Sequence, residues 1–172
     1  MAPPRPRSVL AIDVGRRRIG LAGCDPLGVT VTPLPALARG EFQADLERLV
    51  ILLRQRRVEA LVVGLPLDAG QRPTLQGIHC RRYGLRLARA LAALGQPLPL
   101  AWVDEHASSW AAGERFALHG DRSGRLDSAA AVLLLEQWQR EGPEPLDLTA
   151  LSHDPVAPAA IAVGTRAGAD SF

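Results

Sequence analysis

A chain of 172 residues has room for one domain with tails, and 47% hydrophobic against 22% charged residues supplies a core and excludes wholesale disorder. The formal charge of +2 does not by itself indicate a nucleic-acid partner, and the all-arginine cations, twenty with no lysine, are first explained by coding bias. No apolar stretch approaches the roughly 20 residues that span a bilayer, Asp13 and three arginines interrupt any leader-like run, and Cys24 and Cys80 make neither a disulfide framework nor a zinc spacing, so the expectation is a cytoplasmic protein with no membrane partner.

Residues 1–7, rich in Pro and Arg, are predicted to be a disordered N-terminal tail. Ser8–Val14 (SVLAIDV) reads as a buried strand ending at Gly15, Arg18–Asp25 as a second, and Val29–Pro33 as the start of a third. Short turns at Gly15-Arg16-Arg17 and Pro26-Leu27-Gly28 make this opening an antiparallel meander. Glu41–Arg57 is predicted helical, because Phe42, Leu46, Leu49 and Leu53 recur at spacings of three and four. Ala60–Leu65 is a short, wholly apolar run, as an interior parallel strand requires. Thr74–Leu94 is a second helix that Gly95 stops, and Leu98–Val103 is a fifth strand with Pro99 near its start. Ser109–Leu118 and Leu126–Arg140 complete the helices. After Gly142 the pattern dissolves into Pro, Ala and Gly, so 143–172 reads as a tail in which Leu146–Leu151 docks weakly at most.

The order β-β-β-α-β-α-β-α-α predicts an α/β domain over 8–142. Its sheet would be mixed and five-stranded, with three antiparallel strands, then two parallel ones, and helices on both faces. That order fits a ribonuclease H-like fold, and also fits its relatives among sugar kinases and actin-like ATPases.

Three places put carboxylates in apolar surroundings, where they are costly unless paired or bound to metal. Asp13 ends the first strand, Asp104 and Glu105 end the fifth, and Asp127 opens the last helix before Ser128-Ala129-Ala130-Ala131. Ligands of open α/β sheets bind beyond the carboxyl ends of the strands. The small alanine run would let the last helix lie close and bring Asp127 to the same edge. Strand alternation puts Asp104 and Glu105 on opposite faces, so Glu105 is preferred as the ligand and Asp104 as support. Three converging carboxylates without a Cys or His cluster suit Mg²⁺ or Mn²⁺. Two such ions about 3.5–4 Å apart can drive phosphodiester cleavage without a protein nucleophile. Duller roles exist for each acid: Asp127 as a first-turn charge, Asp13 as a turn residue, and Asp104 or Glu105 as a helix cap.

Four motifs then carry a resemblance. Ile12-Asp13-Val14-Gly15 with Arg18-Ile19-Gly20-Leu21-Ala22 and Asp25-Pro26-Leu27-Gly28, Val62-Val63-Gly64-Leu65-Pro66-Leu67, Val103-Asp104-Glu105, and Asp127-Ser128-Ala129-Ala130-Ala131-Val132-Leu133 occur in order across residues 8–142. Together they resemble the YqgF family, also called RuvX. The resemblance implies a ribonuclease H-like, cytoplasmic nuclease that processes the 5′ end of pre-16S ribosomal RNA, with Holliday-junction resolution as an older assignment for similar proteins. It places Asp13, Glu105 and Asp127 in the catalytic metal site. RNA is the expected partner ahead of DNA, together with the pre-ribosomal small subunit.

The chain departs from the family pattern after Glu105, where Arg-Leu-Thr-Thr is replaced by His106-Ala107-Ser108-Ser109. Ser108 and Ser109 keep the hydroxyls expected to touch substrate, whereas His106 loses a permanent cation. Arg125 stands where the family usually has lysine, and only Gly70 is shared in the loop from Asp68 to Gly77. These departures motivate a second reading, a non-catalytic nucleic-acid-binding or ribosome-assembly factor on the same fold. A nucleotide phosphotransferase ranks last, since there is no Walker-type loop. Arg18 and Arg125, close in sequence to the carboxylates, are the expected phosphate contacts. Arg82, Arg86 and Arg89 read as a solvated helix face, and Trp102, Trp110 and Trp138 as packing.

Overall fold

A computed structural model describes residues 5–105 and 108–148, and the backbone alone of 108–111. The elements follow the expected order: β1 (Val9–Val14), β2 (Arg18–Cys24), β3 (Val31–Ala38), α1 (Phe42–Gln55), β4 (Ala60–Leu65), α2 (Leu75–Ala93), β5 (Leu100–Asp104), α3 (Ser108–Phe116) and α4 (Arg125–Glu141). They form one five-stranded sheet in the order β3-β2-β1-β4-β5. β1–β2 and β2–β3 are antiparallel, while β1–β4 and β4–β5 are parallel. The parallel pairs are those joined through helices, as crossover connections demand.

β1 is buried along its whole length because it lies centrally, with helices over both faces. Leu10, Ile12 and Val14 pack with Ile19, Leu21, Val63 and Leu65 against Leu46, Leu49 and Leu53 of α1 and Tyr83, Leu87 and Leu91 of α2. Val9 and Ala11 pack on the opposite face with Val62, Val103 and Leu134, Leu135 and Trp138 of α4. Full burial of each large aliphatic side chain here is worth about 1.5–3 kcal/mol. The same alternation that sends Val9 and Ala11 toward α4 sends Asp13 there too.

β3 runs on through Pro33 and Pro35, beyond the expected start of a strand at Val29–Pro33. It is an edge strand bonded only to β2, so the missing N–H groups cost no ladder bond. Its register slips by one residue opposite Gly20, where Ile19 faces Leu37 but Leu21 faces Leu34. The freed Leu34 carbonyl accepts a 2.6 Å hydrogen bond from Ser128 Oγ, which ties α4 to the bulge.

α4 begins after Gly124, whose φ of 94° requires glycine. The Asp121 carboxylate accepts from the Arg125 amide at 3.1 Å and takes the capping role. Ala131 joins the sheet-facing core, whereas Ala129 and Ala130 pack with Ala112 of α3. The alanine run therefore serves two neighbours rather than the sheet alone.

On either side of 8–142, Arg5 lies 4.6 Å from the centroid of the Trp138 ring and bonds the Trp138 and Gln139 carbonyls. Leu146 exchanges two 2.9 Å backbone bonds with Leu100, covering the outer edge of β5. The rest of the expected tails, residues 1–4 and 149–172, lies outside the described residues. No helix among the described residues is long and apolar enough to cross a membrane.

Candidate active site

Asp13 is 8% exposed at the carboxyl end of β1, on the face covered by α4. Burial pushes its carboxyl well above the ordinary carboxylate range, and the charge of Glu105, a hydrogen bond with the Glu105 carboxyl group and the charge of Asp127 add to the effect. All four influences act upward. Burial and two neighbouring carboxyl groups therefore disfavour the charged form of Asp13.

Glu105 follows β5, with its amide bonded to the Leu65 carbonyl at 3.3 Å. Its side chain folds over Gly64 of β4: a Cβ there would lie 3.0 Å from Glu105 Oε2 and 2.8 Å from Leu134 Cδ1. Gly64 is a cradle that any larger residue would fill. Asp104, as alternation requires, continues the Leu100 and Trp102 face of β5, and its buried Oδ1 is without a hydrogen-bond partner.

Asp127 reaches this edge through a close backbone approach. Gly20 pairs with Asp13 across β1–β2, and a Cβ on Gly20 would overlap the Asp127 carbonyl and sit 3.0 Å from the Ser128 nitrogen. The Asp127 carboxyl is raised by burial, while the Arg18 charge lowers it and the Asp121 charge raises it. Asp127 is thus half-buried, near enough to Arg18 to feel its charge and to Asp13 to exert its own. Among the described residues, no three His, Cys, Asp or Glu side chains gather as a metal-holding group. The Asp13–Glu105 pair is assembled, and Asp127 is adjacent to it rather than closed upon it.

This donor set fits a hard divalent cation. It consists of carboxylate oxygens, one of them buried and raised by the charges of the others, with Gly64 leaving room for the Glu105 side chain.

A family model described as "RuvX: Holliday junction resolvase" matches residues 7–141. The chain belongs to the RuvX family. A Parasynechococcus marenigrum (strain WH8102) protein named "Putative pre-16S rRNA nuclease" is 68% identical over 141 residues, covering 82% of this chain and 87% of that one. A Prochlorococcus marinus (strain MIT 9211) protein of the same name is 52% identical over 144 residues, covering 84% and 96%. Among solved structures, T. thermophilus RuvC in complex with Holliday junction substrate superposes with a TM-score of 0.51 at 18% identity, covering 81% of this chain and 99% of that one. That likeness, together with the mixed sheet, establishes the ribonuclease H-like fold.

Within the RuvX chain the expected substrate contacts divide. Arg18 lies at the site: its charge acts on Asp127 and its side chain packs against Gly124. Arg125 is 72% exposed, with its guanidinium 3.5 Å from Asp121, whose charge acts on Asp127. His106 and the side chains of Ser108 and Ser109 lie outside the described residues. Trp102 and Trp138 are buried packing residues, and Arg86 lies over the Phe42 ring. Reading the sequence missed Gly20 and Gly64, which look like ordinary strand glycines until a helix or a carboxylate is laid on them.

Proposed function

We propose that this RuvX protein is a metal-dependent endonuclease that hydrolyses phosphodiesters in structured RNA, most specifically at the 5′ end of pre-16S rRNA. The observation that carries the reading is the buried Asp13 with the half-buried Glu105 against it, at the carboxyl edge of β1 and β5, and with Asp127 and Arg18 near by. A carboxylate as costly to bury as Asp13, beside a second one at an open sheet edge, is suited to binding cations rather than to stabilising the core. The names of the relatives supply the substrate.

In this reading Asp13 and Glu105 hold Mg²⁺ or Mn²⁺, and Asp127 completes the site. Divalent ions there, two in the full reading, would supply Lewis acidity for the attacked phosphorus and ease ionisation of the attacking water. The side chains do the positioning. The Gly64 floor makes room for Glu105, the Gly20 contact fixes the start of α4, and Arg18 opposes the upward push of burial on Asp127 and offers a cation to a phosphate oxygen. Cytoplasmic placement, with the pre-ribosomal small subunit as partner, goes with this substrate.

A four-way DNA junction is the second reading, favoured by the family's description. Purified protein, Mn²⁺ and two labelled substrates, a pre-16S leader fragment and a four-way junction, separate the two. Cutting of the leader alone is expected. Cutting of the junction alone would transfer the assignment to DNA, and binding of RNA with no cutting in any metal would favour an assembly factor.

A further inference from the structure

We infer that a second pocket, on the α2 side of the same sheet edge, is a subsite for a backbone phosphate of the nucleic-acid substrate next to the scissile one. It is a space of about 310 Å³ lined by Arg16, Arg39, Leu75, Gln76 and His79. The inference rests on the nucleic-acid reading above and adds to it the residues that hold the strand.

Its position comes from two hydrogen bonds. The Gln76 side-chain amide donates to the Val14 carbonyl at 2.9 Å, and Arg39 Nη1 donates to the Gly15 carbonyl at 3.0 Å. These are the two residues that follow Asp13, and at about 3.3 Å per strand residue Gly15 lies roughly 7 Å beyond it. The carboxylates occupy the α4 face of the sheet end and this pocket the α2 face. A strand crossing the end of β1 meets both.

The pocket has the chemistry of an anion site. Its charged lining residues, Arg16 and Arg39, are both cations. Burial and then the charges of Arg39, Arg16 and Arg82 hold His79 below its usual range, a sign of positive potential at the ring. Arg39 only donates, so its 2.7 Å contact with His79 Nε2 requires that nitrogen to accept. The proton then sits on Nδ1, which makes the neutral ring a donor. Arg39 is also set in place before any ligand arrives, by the Gly15 carbonyl, His79 and the Tyr83 ring 5.1 Å away. A fixed fork with spare N–H groups beside a freer, exposed Arg16 is a clamp for phosphate oxygens. Leu75, 88% exposed at the start of α2, adds an apolar wall against which the attached ribose or base can lie. The space is therefore suited to a nucleotide unit of a chain rather than to a bare ion.

The test is binding of a labelled stem-loop RNA by the full-length Asp13→Asn protein in Mg²⁺, titrated at several NaCl concentrations. Arg16→Gln, Arg39→Gln and His79→Gln are added singly, with Arg54→Gln, at the opposite end of the sheet, as the control. Arg16→Gln and Arg39→Gln are expected to weaken binding about fivefold to tenfold. Each should also flatten the plot of log K against log salt by about 0.7–0.9, the loss of one phosphate contact, while Arg54→Gln changes neither. Arg39 also braces Gly15, so its melting temperature is compared. The exposed Arg16 decides the matter if Arg39→Gln is unstable. Wild-type-like affinity and slope in Arg16→Gln and His79→Gln would overturn the subsite while leaving the nuclease reading intact. Cleavage that survives Asp13→Asn would instead count against the catalytic assignment, with the binding comparison still reporting on the pocket. Absence of any RNA binding would sink both.

Discussion

Gly20 and Asp127 meet backbone to backbone: the Cα of a strand residue takes the first turn of α4 so closely that a methyl group there would overlap the Asp127 carbonyl. Gly20 is also the cross-strand partner of Asp13. One missing side chain therefore sets the separation between two of the candidate catalytic acids. Gly20→Ala is expected to push α4 off the sheet, costing about 2–3 kcal/mol and lowering Tm by roughly 5–10 °C. Cleavage should fall further than stability alone explains. Gly23→Ala is the comparison, because its Cβ would meet the Arg56 guanidinium, a side-chain end that can move. Equal effects of the two substitutions would remove the special role of Gly20.

The upward shift of the Asp13 carboxyl predicts a fold that loses stability as the pH rises towards neutral. The carboxyl is raised in the native state, so the folded protein binds more protons than the unfolded chain. The stabilising protonated form is fully present below the unfolded value, near pH 4, and is lost as pH rises through the native one. Asp13→Asn removes that loss and should raise Tm in EDTA at pH 7.5. The gain, about 1–3 kcal/mol, should fade as the pH approaches 4. Thermal melts at both pH values check it, and a lower Tm for Asp13→Asn at pH 7.5 would contradict the upward shift of Asp13.

The same acid should make stability respond to divalent cations. Mg²⁺ or Mn²⁺ in large excess is expected to raise the wild-type Tm, with about 2.7 kcal/mol gained at a hundred times Kd. Asp13→Asn and Glu105→Gln should respond little. A wild-type melt indifferent to both ions would separate the carboxylates from metal binding.

Arg18 lowers the Asp127 carboxyl against the effect of burial. Arg18→Gln removes that influence, so Asp127 keeps its proton to higher pH. The acid limb of the pH–rate profile should move upward, with a smaller change at alkaline pH. A uniform drop at every pH would mark Arg18 as a substrate contact alone.

The fold was largely legible because its signals are local. Alternation and apolar runs located β1, β4 and β5, and the Phe42–Leu53 stripe located α1. Asp13 and Glu105 stand out in the sequence for the same reason, as charges at the ends of apolar strands, and the structure brings them within each other's influence. What escaped depends on contacts between distant elements. The extent of β3 through two prolines follows only from its edge position. Asp45 looks like a surface helical acid, yet it is fully buried, where it accepts from the Gly40 amide and Arg48. The Arg39–His79 contact joins the chain after β3 to α2, and no spacing in the sequence announces it. The 3.5 Å contact between Arg125 and Asp121 likewise follows from the turn that enters α4.

The most direct test of the central claim compares cleavage of one pre-16S leader RNA by wild type, Asp13→Asn and Glu105→Gln, each in Mn²⁺ and in EDTA, with Tm measured on the same samples. Wild type is expected to cut only in Mn²⁺, with a loss of about a thousandfold in both folded variants. Undiminished cutting by either variant, or by wild type in EDTA, would contradict it.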